Sequence, residues 1–482
     1  MAHDDAYHER RRLERLPRPE LERHQLSRLN ALLDHILPAN KFYAVKLAGI
    51  RRPVQSLAEL RDWPLTTKEE LLPEEDGSQP SVGGQPFVGV QPSGCEAASP
   101  QAKARIPEQA KAWAPARHLT YPIERYLRFH QTSGTRGQPL VVPDDAEGWR
   151  DWVEGWQWVL DAAGLRAGER ALLAFSFGPF VGFWSAFDAV LARGGMAIPG
   201  GGMSTAARLD LLRRCPVAAV FCTPSYALHM AETAAAQGID LPGLGVRSII
   251  VAGEPGGSIP ATRARIESAW GATLIDHAGA TEVGPWGYAD AERRGLHVNE
   301  ANFIAEFLSL DTGQPASEGE LAELVLTNLG RPGTPVIRYR TGDLVRPVGV
   351  QPSGCEASTP RTKTGASAPA EACTPTFVLL EGGVLGRADD MLIIRGVNVY
   401  PSAVEHVLRG FPEIAEFRLT AYRQGQLDEL RIEIEDAQGD PQRVAAELLL
   451  RLGLRIEVQA VPPGTLPRFE AKARRFVDLR GA

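Results

Sequence analysis

Three short, mostly apolar runs at 171–177, 217–222 and 248–252 constrain the fold more than any other feature of this sequence. Stretches of helical character separate them. Trp152, Trp156, Val159 and Leu160 share a helical spacing ahead of the first run, and Thr223-Pro224-Ser225-Tyr226 opens a helix after the second. A strand that is apolar on both sides has to be covered on both faces. The alternation therefore implies mainly parallel sheets buried between helices. The third run ends in Gly253-Glu254-Pro255-Gly256-Gly257, a turn at the carboxyl end of a strand, which is where open α/β sheets collect ligands.

At 482 residues the chain is too long for one compact core. Past Arg395 the pattern changes. Leu430, Ile432 and Ile434 alternate with charged residues, a helix covers roughly 444–452, and Leu454, Ile456 and Val458 alternate again. Strands with one wet face, mixed with helices, describe a small α+β unit. The fold class is thus α/β, with a large N-terminal α/β domain over 1–385 and a smaller C-terminal α+β domain over 386–482. Upstream, Leu26, Leu29, Leu32, Leu33 and Ile36 predict a helix over 20–37 that Pro38 stops, and Thr66-Thr67-Lys68-Glu69-Glu70 reads as a helix start,.

The net charge of −7, from 52 basic and 59 acidic residues, argues against a general nucleic-acid binder,. The first fifteen residues are charged throughout and carry no apolar signal core, and the run over 171–187 is broken by Ser176, Gly178, Pro179 and Gly182. Neither reads as a secretion signal or a membrane span. Five cysteines without CxxC spacing suggest a reducing cytoplasm and no structural zinc.

Ten residues, Val88-Gly89-Val90-Gln91-Pro92-Ser93-Gly94-Cys95-Glu96-Ala97, recur as Val348-Gly349-Val350-Gln351-Pro352-Ser353-Gly354-Cys355-Glu356-Ala357. Both copies run into tails rich in Ala, Ser, Thr, Pro and Lys. They read as insertions of one low-complexity element, at about 79–118 and 348–375, with too few apolar side chains to form a core.

Five motifs carry chemistry. Arg128-Phe129-His130-Gln131-Thr132-Ser133-Gly134-Thr135-Arg136-Gly137-Gln138-Pro139 is a loop of hydroxyls and glycines whose backbone N–H groups can converge on a polyphosphate,; taken alone it is equally a polar turn. Asp276-His277-Ala278-Gly279-Ala280-Thr281-Glu282 places a carboxylate in a turn after a strand, a good Mg²⁺ ligand,. His277 and His297 are alternative metal ligands, though lone histidines are more often structural. Tyr339-Arg340-Thr341-Gly342-Asp343 ends a strand on a carboxylate able to accept from vicinal hydroxyls,. Gly386-Arg387-Ala388-Asp389-Asp390-Met391, with Arg395-Gly396, reads as an interdomain connection, and Pro467-Arg468-Phe469-Glu470-Ala471-Lys472-Ala473-Arg474-Arg475 is a basic loop. The aromatic stretch over 174–184, with Phe175, Phe177, Phe180, Phe183 and Trp184, can enclose a flat ring or serve as plain core,.

In that order the motifs, with Gly253-Glu254-Pro255 among them, resemble the adenylate-forming enzymes, specifically the phenylacetate–CoA ligase family. The resemblance spans 26–78, 119–347 and 376–482. It implies ATP-dependent activation of an aromatic or arylacetic carboxylic acid to an acyl-adenylate, then transfer to coenzyme A. ATP, Mg²⁺ and coenzyme A follow as cofactors and the acid as substrate, with no nucleic-acid or membrane partner and a homodimer left open.

By resemblance, Thr132, Ser133, Gly134, Thr135, Arg136 and Gly137 hold the β- and γ-phosphates. Gly253, Glu254 and Pro255 line the adenine pocket, Thr281 sits beside the α-phosphate, and Glu282 binds metal and nucleotide. Asp343 holds the ribose, Arg387 approaches the nucleotide, Asp389 is the hinge, Gly396 lines the pantetheine tunnel, and Lys472 spans carboxylate and α-phosphate. Four positions depart from the family pattern: Arg136 for Thr, Gln138 for Lys, Ala278 for an aromatic residue, and Ala471 for Gly. Two other readings are a nucleotidyltransferase that adenylates a phenolic cofactor without forming a thioester, and a non-catalytic nucleotide-binding relic.

Overall fold

The computed structural model describes residues 2–73, 116–132, 139–175, 178–289, 295–349, 376–390, 392–394, 397–424, 427–469 and 475–480. The chain opens with helices Ala2–Glu14 and Arg18–Ile36. The second matches the helix expected from the leucine spacing: Leu29, Leu32, Leu33 and Ile36 are buried against Tyr43, Trp63 and Ile337. Gln25 on the same helix donates to the carbonyls of Glu300 and Phe303 at 2.9 and 2.8 Å, which fastens it to the body of the protein.

The hairpin β1 (Arg128–Gln131) and β2 (Val141–Asp144) comes first among the strands. β3 (Arg170–Leu173), β4 (Met196–Pro199), β5 (Ala219–Cys222), β6 (Ser248–Val251) and β7 (Thr273–Ala280) then alternate with helices. β8 (Gly284–Tyr288), β9 (Gly295–Val298), β10 (Phe303–Ser309), β11 (Ala322–Asn328), β12 (Tyr339–Val345), β13 (Pro347–Val348), β14 (Leu379–Glu381) and β15 (Gly386–Arg387) follow. One nine-stranded sheet has the order β13-β14-β9-β8-β7-β6-β5-β3-β4, and a four-stranded sheet has the order β10-β11-β12-β15.

The unbroken apolar runs have a direct explanation in the two cores. Phe221, Ile250 and Ile275 point to the side that holds Trp156 and Trp158. Their neighbours Val220, Ile249 and Leu274 point to the side that holds Tyr226, Ile266 and Trp270. Successive residues of a strand face opposite sides, and here both sides are dry.

The expectation of mainly parallel sheets holds for half of this sheet. β4, β3, β5, β6 and β7 are parallel, whereas β7, β8, β9, β14 and β13 pair antiparallel. The cause is local. Only Thr281, Glu282 and Val283 separate β7 from β8, and so short a connection returns the chain beside itself antiparallel.

The second low-complexity segment leaves from the edge of the same sheet. Val348 pairs with Leu379 and Pro347 with Leu380, so β13 and β14 bring its two ends together. The first rejoins described structure at Ala116, which is buried along with His118. The bodies of both, including Cys95 and Cys355, lie outside the described residues.

Beyond β15 come β16 (Leu392–Ile394) and β17 (Val397–Val399), then a four-stranded sheet in the order β20-β19-β18-β21. These are β18 (Ile414–Gln424), β19 (Leu427–Asp436), β20 (Glu457–Ala460) and β21 (Phe476–Asp478). Helices Pro401–Arg409 and Pro441–Leu452 cover one face, and a separate core gathers Val404, Leu408, Phe417, Leu419, Ile432, Ile434, Val444 and Leu448. The alternation at 454–458 is only partly strand. Gly453 ends the helix in the left-handed conformation (φ 66°), and Leu454 and Ile456 are buried before β20 begins. Among the described residues no helix is long and apolar enough to cross a membrane.

Candidate active site

The parallel strands β3, β5, β6 and β7 end on one edge, where the turns after β6 and β7 carry Glu254 and Glu282. After β6, Gly253 adopts φ 93° and turns the chain into Glu254. The Glu254 carboxylate accepts from the Ser225 backbone N–H at 2.8 Å and from the Ser225 hydroxyl. Ser225 lies in the first turn of helix Pro224–Ala236, where backbone N–H groups favour a negative partner,. The same turn packs beneath β7. A Cβ on Gly257 would stand 2.5 Å from the Asp276 carboxyl carbon, so only glycine fits. Asp276 accepts from the Ser258 hydroxyl at 2.6 Å, and burial pushes its carboxyl up to about 6.

Thr281 and Glu282 form the β7–β8 turn. Tyr339 donates to Glu282 Oε1 at 3.3 Å, and Lys68 Nζ stands 3.5 Å from the same oxygen. Burial first, and then the Glu282 charge, raise the Tyr339 phenol well above its ordinary value, so it stays a donor. Lys68 opens the helix Lys68–Leu71, as the sequence suggested. The helix is set against β12 by two backbone bonds, from Thr66 N–H to the Arg338 carbonyl at 2.8 Å and from Arg340 N–H to the Thr66 carbonyl at 2.9 Å.

Asp343 on β12 lies opposite Arg387 on β15. Arg387 Nη1 donates to Asp343 Oδ1 at 3.0 Å and to the Thr341 carbonyl at 2.8 Å, while the Asp343 N–H donates to Thr341 Oγ1 at 3.0 Å. Tyr339 joins the two groups, since Glu282, Asp343 and Arg387 all act electrostatically on its ring hydroxyl.

The β1–β2 hairpin frames the glycine-rich loop. Thr132 is buried; its N–H donates to the Leu140 carbonyl, and its hydroxyl oxygen accepts from the Leu140 N–H, both at 3.0 Å. Gln131 N–H donates to the Pro179 carbonyl at 2.8 Å, which sets the aromatic stretch beside this loop. Within that stretch Phe175 and Trp184 are partly buried against the core and Phe180 is exposed, while Phe177 and the Phe183 side chain lie outside the described residues.

Several predicted positions lie outside the described residues: Ser133, Gly134, Thr135, Arg136, Gly137, Gly396, Lys472 and the Asp389 side chain. The backbone of Asp389 is in the short turn Ala388–Asp390.

The two histidines weighed as metal ligands are used structurally. His277 Nδ1–H donates to the Gly287 carbonyl at 2.7 Å, and burial lowers the ring to about 4, so it is neutral at neutral pH. His297 Nδ1 pairs with the Phe377 carbonyl at 3.0 Å. Among the described residues no group of three His, Cys, Asp or Glu side chains gathers for a metal. A lone carboxylate at Glu282 is what Mg²⁺ needs when phosphates and water supply its other ligands.

Comparison with known proteins decides the family. Residues 396–480 match the model of the AMP-binding enzyme C-terminal domain. A phenylacetate–coenzyme A ligase of Thermus thermophilus is 31% identical over 387 residues, spanning 74% of this chain and 82% of the relative. The Escherichia coli enzyme of the same name is 32% identical over 378 residues, spanning 74% and 80%. The chain belongs to the phenylacetate–CoA ligase family of adenylate-forming enzymes. Enzymes of this family are AMP-forming acid–CoA ligases that use ATP, customarily with Mg²⁺, and coenzyme A. The fold agrees. 2-Hydroxyisobutyryl-CoA ligase, in a postadenylation state with an acyl-AMP, superposes with a TM-score of 0.79 over 97% of this chain and 92% of its own, at 24% identity. Family motifs had pointed to Glu282, Asp343 and Arg387. They had given no role to Lys68, Ser225 or Arg331, whose contacts reach across distant parts of the chain.

Proposed function

We propose that this phenylacetate–CoA ligase family member activates an aromatic or arylacetic acid. A carboxylate oxygen attacks the α-phosphorus of ATP and pyrophosphate leaves. The sulfur of coenzyme A then attacks the acyl carbon, loses its proton to solvent, and AMP leaves. One observation carries this reading: Tyr339 of β12 donates to Glu282 in the β7–β8 turn, and the same strand carries Asp343 paired with Arg387, so a metal-and-phosphate group and a ribose group meet where the two sheets adjoin.

In this reading Asp343 accepts from the ribose hydroxyls, held in place by Arg387 and by its own N–H bond to Thr341. Glu254 lines the adenine pocket with Gly253 and Pro255. Thr281 meets the α-phosphate, and Thr132, Ser133, Gly134, Thr135, Arg136 and Gly137 hold the β- and γ-phosphates. Glu282 would hold Mg²⁺, whose charge offsets that of the phosphates. Lys472 offsets charge at the α-phosphorus, Gly396 leaves room for pantetheine, and Asp389 is the hinge of two domains divided near residue 386. Its setting is the cytoplasm, where Cys215 and Cys222 stay free thiols.

Phe175 and Trp184 support a flat substrate, because they are partly buried rings in the stretch whose Pro179 carbonyl accepts from Gln131 at the end of β1. Pyrophosphate release across a panel of benzoic, arylacetic and short aliphatic acids, with and without coenzyme A, tests the class. Aryl acids should give the highest kcat/KM. Preference for short aliphatic acids would overturn the assignment.

A further inference from the structure

The segment from Asn328, the last residue of β11, to Arg331 carries none of the positions assigned above to nucleotide or acid, yet it holds the backbone of the turn that carries two of them, Thr281 and Glu282. Arg331 Nη1 donates to the carbonyls of Thr281 and Glu282, at 3.2 and 3.0 Å. Asn328 Nδ2 donates to the next carbonyl, that of Val283, at 2.6 Å. Three successive carbonyls of the β7–β8 turn are thus captured from one neighbouring segment.

The other edge of the same guanidinium reaches the phosphate-loop hairpin. Arg331 Nε and Nη2 donate to Asp144 Oδ1 at 3.0 and 2.6 Å. Asp144 ends β2, in register with Arg128, so it sits at the base of the hairpin that frames the loop over 132–139. The pair is closed to solvent: the Arg331 side chain is 0% exposed and that of Asp144 1%. Trp152 lies 5.4 Å from the guanidinium carbon. Room for this arrangement is made by Gly330, where a Cβ would fall 1.8 Å from the Asp151 carboxylate.

A buried ion pair is weak evidence for stability, since desolvation offsets much of its attraction. A planar fork with donors on two edges does, however, fix the separation of the two backbones it joins. We infer that Arg331 is a positioning residue for adenylation: it sets the distance between the phosphate-loop hairpin and the Thr281–Glu282 turn, so that triphosphate and Mg²⁺ are gripped in register. The inference rests on the nucleotide reading of those two elements. A misplacement of about 1 Å can cost on the order of a hundredfold in rate, and outer partners of metal ligands carry about 10- to 100-fold in metal affinity.

Arg331→Lys keeps the charge and loses the fork; Asp144→Asn keeps the fork and loses its anchor. The test measures acid-dependent ATP–pyrophosphate exchange against Mg²⁺ concentration, and separately thioester formation from supplied acyl-adenylate, on wild type and both variants. Exchange by the wild type establishes the nucleotide reading independently of either variant. The expected result is folded variants whose exchange falls about a hundredfold and whose half-maximal Mg²⁺ concentration rises about tenfold, with thioester formation close to the wild-type rate. Equal loss in both half-reactions, an unchanged Mg²⁺ dependence, or failure of both variants to fold would make Arg331 a structural strut and overturn the assignment.

Discussion

Arg475, the residue before β21, donates from Nη1 to the hydroxyl oxygen of Ser225 at 3.1 Å, and so joins the C-terminal unit to the helix that holds Glu254. Within its own unit Arg475 forks onto Glu416 at 2.5 and 3.0 Å, with both side chains nearly buried. Two substitutions separate these roles. Arg475→Gln leaves Glu416 buried without its cation and should destabilise the C-terminal unit by about 3 kcal/mol. Ser225→Ala removes only the bond between units and one donor to Glu254, so the melting temperature should hold while the KM for ATP rises. Denaturant melts and steady-state kinetics of the two variants check this; the same pattern in both would contradict it.

Asp276 gives a pH signature. Its folded value of about 6 lies above the ordinary 3.8, so folding favours the protonated form. Its contribution is full below 3.8 and is lost as pH rises through about 6,. Asp276→Asn cannot ionise and still accepts from Ser258. It should gain on the wild type with rising pH, by up to about 3 kcal/mol at neutral pH. Melting temperatures of both proteins from about pH 5 to about pH 8 read the effect. A difference that does not change with pH would refute it.

Lys68 shares the Glu282 carboxylate with Tyr339. Its side chain is 36% exposed, so its pairing with Glu282 should add little to stability,. Lys68→Met should therefore melt like the wild type. In the adenylation half-reaction a lost cation beside the triphosphate should lower kcat/KM for ATP on the order of tenfold, about 1.4 kcal/mol. The loss should be absent when thioester is made from supplied adenylate. Equal loss in both would place Lys68 outside the phosphate site.

Deletion of 350–375 should be mild. β13 and β14 already hold the two ends of that segment together at the edge of the nine-stranded sheet. Loop length itself matters weakly, about 0.6 kcal/mol per doubling. A variant joined from Gly349 to Thr376 should keep both half-reactions near wild type in the same kinetic assays. A variant that adenylates normally and makes no thioester would show that the segment serves the exchange of states.

Features set by local spacing were readable in the chain before its structure. The helix Arg18–Ile36 followed from its leucines, and the two-sided cores of β3, β5 and β6 followed from unbroken apolar runs. Glu254 announced itself as a carboxylate after a strand, whereas Asp343, expected to end one, lies inside β12, which begins at Tyr339 and runs on to Val345. The antiparallel half of the large sheet was missed because Thr281-Glu282-Val283 carries no ordinary hairpin signal. Nothing local in Asn328-Leu329-Gly330-Arg331 reports its contacts, since its partners Asp144 and Thr281 are assembled only by the topology. Lys68 was read for its place at a helix start, and nothing local reports that Glu282 folds beside it.

The proposed reaction runs in two steps through an acyl-adenylate. Exchange of labelled pyrophosphate into ATP, with an aryl acid and Mg²⁺ present and coenzyme A omitted, tests it most directly. Exchange should require the acid, and AMP should be the nucleotide product once coenzyme A is added. Thioester formation with ADP as product, or with no acid-dependent exchange in the absence of coenzyme A, would contradict it.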